Sequence, residues 1–288
     1  MDYTTSRGTL YICATPIGNL GDITARVLEA LEQADVIAAE DTRNTLRLLN
    51  HFGIKKPLTS YHEHNRYEKA DEIIRQLLAG QNVALVTDAG TPVISDPGEV
   101  LIAKCMEQGI PVTSLPGACA LITALTMSGL SARRFCFEGF LPTEKKERAR
   151  ILSALVTEER TIVLYEAPHH LRATLKELST SLGEARRVTL CRELTKKFEE
   201  AIPTTLGEAV LLYDSQEPRG EYVLVIEGAD PEKRMQAERE DWEKLSVQEH
   251  VAMYEAQGLA RKDAMKKAAE DRGVSKREIY QALISVEE

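Results

Sequence analysis

Missing from this sequence are the features that mark membrane, disulfide-framed and dinucleotide-binding proteins. No apolar run approaches the roughly 20 residues that cross a bilayer, and Met1 to Gly8 is polar, without the apolar stretch of a signal peptide. A cytoplasmic protein with no membrane partner is expected. The five cysteines, Cys13, Cys105, Cys119, Cys136 and Cys191, are odd in number and scattered without a C-x-x-C pair. Neither a disulfide framework nor a zinc site is suggested, and small core hydrophobes are the expected role. Neither G-x-G-x-x-G nor G-x-x-x-x-G-K-[ST] occurs, which counts against a dinucleotide oxidoreductase and against a phosphate-binding loop. Positive charge is short as well. A net charge of −9 argues against a chain that coats nucleic acid indiscriminately, because such binding is driven by phosphate neutralisation.

What is present reads as an alternating α/β chain. Its 288 residues, 43% hydrophobic, allow two domains or one large one. Strand-like runs at Leu10 to Ala14, Val36 to Ala39, Val83 to Thr87 and Val112 to Leu115 alternate with helical patterns at Ala25 to Gln33, Thr42 to Phe52, Tyr67 to Ala79 and Val100 to Gln108. That alternation predicts a mostly parallel sheet covered by helices. A second series follows at Phe135 to Phe140, Thr161 to Tyr165, Arg187 to Cys191, Ala201 to Thr205 and Tyr222 to Ile226, with helices near Glu144 to Val156 and Leu171 to Ser181. Strands there adjoin without a long helix between them, so a mixed sheet is expected. After Gly228 a charged stretch, Asp230 to Lys244, leads to three short helical patterns, two of them opened by the capping boxes Ser246-x-x-Glu249 and Ser275-x-x-Glu278. The expected boundaries are 1–117 and 118–230 for two α/β domains and 242–288 for a helix-turn-helix-like module, packed down by the sole tryptophan, Trp242.

Three strand ends carry small-residue turns. Thr15 to Thr24 follows the first strand, at the end of an α/β sheet where ligands bind, although Pro16 removes an N–H that a phosphate would want. Asp88 to Gly98 packs glycine, proline and carboxylates before a helix, a loop able to bring backbone against a flat uncharged ring. Leu115 to Ala120 offers a third close approach. Each turn also suits plain packing or a tight crossover.

The segments Thr15-Pro16-Ile17-Gly18-Asn19-Leu20, Ala39-Glu40-Asp41-Thr42-Arg43, Ser60-Tyr61-His62-Glu63-His64-Asn65, Thr87 to Gly98 and Tyr165-Glu166-Ala167-Pro168-His169, with the helical tail, resemble the tetrapyrrole-methylase-fold (class III) methyltransferases. Within that fold they are most similar to its branch that acts on small-subunit ribosomal RNA. The resemblance implies a homodimer of two α/β domains with S-adenosylmethionine in the cleft between them. It also implies as substrate the 2′-hydroxyl of a cytidine near the decoding centre of 16S rRNA. Carried over by position, cofactor contacts fall on Pro16, Gly90, Thr91, Val93, Ile94, Asp96, Cys119, Ala120 and Tyr165. Many relatives have Gly-Asp-Pro where this chain reads Gly90-Thr91-Pro92, a departure that leaves the role of the Thr91 side chain open.

Methyl transfer to a hydroxyl needs alignment and a proton acceptor, and a positioned base adds about 10² to 10⁴ in rate. The candidates are Asp88, Glu63, His62, Glu40 and Glu166, with no choice among them made by sequence. RNA contacts are expected at Arg43, His62, Lys145, Lys146, Arg148 and Arg150, and in the tail at Arg261, Lys262, Lys266, Lys267, Lys276 and Arg277. Arg43 suits either a bidentate phosphate or an ion pair with a neighbouring carboxylate, and the basic clusters suit either RNA or a solvated face. His62-x-His64 lacks further ligands at a metal-binding spacing, so no metal is expected, and His169-His170 reads as a helix-start pair. A tetrapyrrole methylase, a methylase of a modified histidine and a noncatalytic RNA-binding module are the alternatives.

The tail yields a test. Deletion at Asp230 is expected to weaken RNA binding and its salt dependence while preserving cofactor affinity. A truncated chain binding the small subunit as tightly as the full one across a salt series assigns docking elsewhere.

Overall fold

In the computed structural model, which describes residues 7–232 and 245–284, five strands form the first sheet: β1 (Leu10–Cys13), β2 (Val36–Ala39), β3 (Leu58–Ser60), β4 (Val83–Val86) and β5 (Val112–Leu115). Their order is β3-β2-β4-β1-β5, and every pairing is parallel. Period-two alternation gives each strand two buried faces. Ala84 and Val86 join a cluster with Val27, Leu31 and Leu49 of helices α1 (Ala25–Gln33) and α2 (Thr42–His51). Val83 and Leu85 pack instead with Ile73, Leu77 and Leu101 of α3 (Arg66–Leu78) and α4 (Gly98–Glu107).

The chain leaves β1 across β4 to reach β2, and leaves β4 in the opposite direction across β1 to reach β5. Oppositely departing connections open a crevice at the carboxyl ends of those two strands. The first and second of the small-residue turns begin there.

The second sheet is mixed, as the adjacent strands in the sequence predict. It comprises β6 (Phe135–Phe140), β7 (Thr161–Glu166), β8 (Arg187–Arg192), β9 (Glu200–Thr205) and β10 (Tyr222–Ile226). The order is β6-β7-β10-β8-β9, with β6 and β7 parallel and the other pairs antiparallel. One face carries α6 (Lys145–Leu155), α7 (Pro168–Leu182) and α8 (Leu206–Ser215). On the other, Leu121, Ala124 and Leu125 of α5 (Ala120–Met127) pack with Val163, Cys191 and Val223, and Ile17 reaches in from the loop after β1.

Strand β3 and helices α5 and α8 were not legible in the pattern. Three residues hold too little of a period for β3, and α5, Ala-Leu-Ile-Thr-Ala-Leu-Thr-Met, is apolar on most sides and shows no single stripe. Four cysteines are buried as expected, and burial raises the thiols of Cys105, Cys136 and Cys191 to about 11. Cys119 is only half-buried.

A separate compact unit begins at Ala229. Its helices Val247–Ala256, Arg261–Arg272 and Lys276–Ile284 enclose Val251, Ala268 and Ile279. Both capping boxes form: the Ser246 and Ser275 hydroxyls accept the N–H of Glu249 and Glu278 at 3.2 and 3.3 Å, and the glutamates return the bond at 2.8 and 2.7 Å. Trp242 lies outside the described residues. Among those described, no helix is long and apolar enough to cross a membrane.

Candidate functional site

Past β1 the chain runs extended and meets the loop after β4 in an isolated antiparallel bridge. The Thr15 N–H donates to the Gly90 carbonyl at 2.8 Å and the Gly90 N–H to the Thr15 carbonyl at 3.0 Å. Two cavities of about 390 Å³ each border this bridge. Just past the bridge the chain bends at Ile17 and Gly18, and Ile17 lines the first cavity while Pro16 and Gly18 line the second. Thr87 lines both. Gly90 sits at φ +89°, a backbone conformation that favours glycine, and a Cβ there would crowd the Ile17 methyl at 3.3 Å.

The loop after β4 shapes the first cavity. Val93 and Ser95 hold positive φ angles of 80° and 67°, unusual for residues with a Cβ. Asp96 clamps them, accepting the Val93 N–H at 2.7 Å and the Gly98 N–H at 3.1 Å. Burial raises the Asp96 carboxyl above its ordinary value, against those two backbone bonds, which favour the charged form. Gly90, Thr91, Ile94 and Asp96 all line the cavity, and Val93 does not. The Thr91 hydroxyl donates to the Ala118 carbonyl at 3.0 Å, so it ties this loop to the third turn.

That third turn brings Cys119 and Ala120 to the wall, and β7 brings Tyr165. The Tyr165 oxygen accepts the Leu121 N–H at 3.2 Å, and its ring meets Phe137 and Phe140 edge-on, with centroids 4.8 and 5.6 Å away. Burial pushes this phenol up to about 12, so it stays neutral. Sequence reading did not foresee Lys196, which borders the cavity from the loop after β8. Burial pulls Lys196 down, but hydrogen bonds to Glu221 at 2.6 Å and Glu193 at 2.9 Å outweigh it and hold the ammonium charged. The available signal was a strand end followed by Glu193 and Lys196, the same kind of position that was read only in the first sheet.

The five candidate bases separate in space. Glu40 lines the first cavity and accepts the Thr87 hydroxyl at 2.7 Å. Glu166 also lines it, buried, and accepts the Ala167 N–H at 2.8 Å and a short bond from the Thr174 hydroxyl. Asp88 lines the second cavity, accepting the Asn44 amide at 2.9 Å and the Asp41 N–H at 3.3 Å. Glu63 pairs with Arg66 at 2.6 Å. The His62 Nδ1 is buried and hydrogen-bonded to no described residue. Neither Glu63 nor His62 lines either cavity.

Among the basic residues, Arg43 takes the ion-pair geometry left open by the sequence. Its Nε and Nη2 donate to the two Asp41 oxygens at 3.0 and 2.6 Å and hold that carboxyl at about 2. Arg148 is turned inward: it pairs with Glu177 at 2.5 Å, donates to the Thr174 hydroxyl at 2.8 Å and reaches the Pro142 carbonyl. Its fork therefore braces Thr174, the donor to Glu166, rather than facing solvent. Lys145, Lys146 and Arg150 are exposed.

Chemically, the first cavity joins apolar walls (Ile17, Ile94, Leu194, Val223) to the carboxylates of Glu40, Asp96 and Glu221. Apolar walls suit a flat ring and carboxylates a cationic group, and a nucleoside sulfonium carries both.

Comparison with known proteins gives the same direction. Residues 9–210 match the family model for tetrapyrrole (corrin/porphyrin) methylases. A Synechocystis protein named ribosomal RNA small subunit methyltransferase I is 49% identical, covering 97% of this chain and 99% of its own length. The Bacillus subtilis protein of the same name is 46% identical over 96% and 94%. Among solved structures, diphthine synthase is similar at a TM-score of 0.60 with 15% identity, covering 76% of this chain and 90% of that one. Uroporphyrin-III C-methyl transferase from Thermus thermophilus, complexed with S-adenyl homocysteine, is similar at 0.55 with 19% identity, covering 76% and 97%.

Gly90→Leu is expected to leave the fold melting cooperatively and to abolish measurable S-adenosylmethionine binding by calorimetry. Asp96→Ala, which frees the Val93 N–H, is expected to cost about 1–3 kcal/mol of the same affinity. Unchanged affinity in a folded Gly90→Leu protein would falsify this cavity as the ligand site.

Proposed function

The chain belongs to the tetrapyrrole methylase family and groups within it with the ribosomal RNA small subunit methyltransferase I proteins, and from that premise we propose that it methylates 16S rRNA in the small ribosomal subunit. The reaction is transfer of the S-adenosylmethionine methyl to the 2′-hydroxyl of a cytidine ribose near the decoding centre, by a cytoplasmic homodimer. One observation carries the reading: a relative at 49% identity matches 97% of the chain, the lining loops and the tail included. Fold alone does not choose a substrate, since proteins of this fold bear names as different as diphthine synthase and uroporphyrin-III C-methyl transferase.

Gly90, Thr91, Ile94, Asp96, Cys119, Ala120 and Tyr165 hold the donor in the first cavity, Val93 acts through the Asp96 clamp, and Pro16 falls on the second cavity. Bound there, S-adenosylmethionine supplies an electrophilic methyl on a sulfonium. The chain supplies alignment and a proton acceptor, for which Asp88 is the best placed of the five candidates. It is exposed, its carboxylate is oriented by Asn44 and the Asp41 N–H, and its neighbour Thr87 borders the donor cavity. Glu166 is buried with both oxygens bonded, to the Ala167 N–H and the Thr174 hydroxyl, and one Glu40 oxygen accepts both the Thr87 hydroxyl and the Asp88 N–H. Lys145, Lys146 and Arg150 form the exposed basic surface for RNA.

Labelled methyl from S-adenosylmethionine is expected in the RNA of purified small subunits; label in a porphyrin substrate, or in neither, overturns the reading. Asp88→Asn should lower kcat by about 10² or more with donor affinity intact. Lys145→Glu with Lys146→Glu should instead raise the KM for the subunit and spare kcat. Normal kinetics in that double variant make the cluster a solvated helix face.

A further inference from the structure

The second cavity lies across the Thr15–Gly90 bridge from the donor cavity and shares Thr87 with it. At about 390 Å³ it is of ligand-binding size, since small-molecule pockets run from about 300 to 1,000 Å³. Helix α2 gives it Asn44, Arg47, Leu48 and His51, and the two loops joined by the Thr15–Gly90 bridge give it Leu20 and Asp88.

Two arginines one turn apart on α2 behave differently. Arg43 is spent on both oxygens of Asp41. Arg47 is exposed and makes no ion pair or hydrogen bond with any described residue, although it lines the cavity. Asp88, the carboxylate on the same wall, is already engaged by Asn44 and the Asp41 N–H and leaves the guanidinium uncompensated. Beside it Leu20 is 41% exposed, an apolar surface next to an open cation. That pairing suits a nucleotide, whose base seeks a packing surface and whose phosphate seeks a planar fork of donors.

We infer that the second cavity docks one nucleotide of the RNA strand beside the reacting ribose, with the Arg47 guanidinium on its phosphate and the base against Leu20 and Leu48. The inference rests on the RNA-methylating reading above. In a chain of net charge −9, one unneutralised arginine next to the donor cavity gives RNA a local foothold that the global field denies. The bridge between the loops is then a partition: donor on one side, RNA strand on the other, in contact at Thr87.

The test uses the full-length protein with purified small subunits. Arg47→Ala should raise the KM for the subunit about tenfold, with a much smaller effect on kcat, as loss of one charge-assisted contact. The slope of log affinity against log salt should shrink by about 0.7, the share of one phosphate on a single strand. Arg47→Lys should restore that slope but only part of the KM, since a point charge lacks the fork. Calorimetry should give S-adenosylmethionine affinity within twofold of the parent, and thermal unfolding a cooperative transition. An Arg47→Ala protein with the parent's KM and salt slope, on subunits that the parent does methylate, overturns the inference and leaves the function standing. Loss confined to S-adenosylmethionine affinity also overturns it, by assigning Arg47 to the donor. If the parent neither binds nor methylates the subunit, both readings fall together.

Discussion

Two backbone hydrogen bonds between Thr15 and Gly90 hold the site together. Each contributes only about 0.5–1.5 kcal/mol net, but they fasten the loop leaving β1 to the loop leaving β4 where the sheet connections diverge. Once fastened, the segment that follows bends and sets Ile17 on one cavity and Pro16 and Gly18 on the other. The positive φ at Gly90 is the condition for this, because a side chain there meets Ile17. The strained Val93 and Ser95 follow downstream, with Asp96 supplying the bonds that stabilise the turn.

Charge pairing does the second part of the organisation. Basic residues near the cavities are largely consumed by the protein itself: Arg43 by Asp41, Arg148 by Glu177 and Thr174, and Lys196 by Glu193 and Glu221. Of these, Lys196 and Arg148 stiffen walls of the first cavity, directly or through Thr174 and Glu166. Among the described residues the cations beside the cavities are thus mostly paired, and for those left open position matters more than number. Arg47 is the open cation that lines the second cavity, while Lys145, Lys146 and Arg150 lie exposed along α6.

Proteins of this fold carry names implying quite different acceptors. The first cavity, built from strand-end turns of both sheets, is the element that such proteins can share. Outside it lie a second wall contributed by α2 and a helical unit with its own small core.

The sequence by itself determined four of the five strands of the first sheet and helices α1 to α4, the mixed character of the second sheet, both capping boxes and the turns that line the first cavity. Each of these rests on local chemistry, such as a period of two, a Ser with a Glu three residues on, or a glycine at a strand end. Tertiary structure alone decided what those residues face. The Asp41–Arg43 pair is local and was already one of two sequence readings, but that Arg47, one turn on, lines a cavity depends on the loops after β1 and β4 that converge on α2. Arg148 reads as surface charge until α7 sets Thr174 and Glu177 against it. Lys196 had no motif, because its place on the cavity depends on β8, β10 and the β1 loop converging from distant parts of the chain. Partners far apart in sequence leave no periodic trace, so the roles of charged side chains were settled by packing.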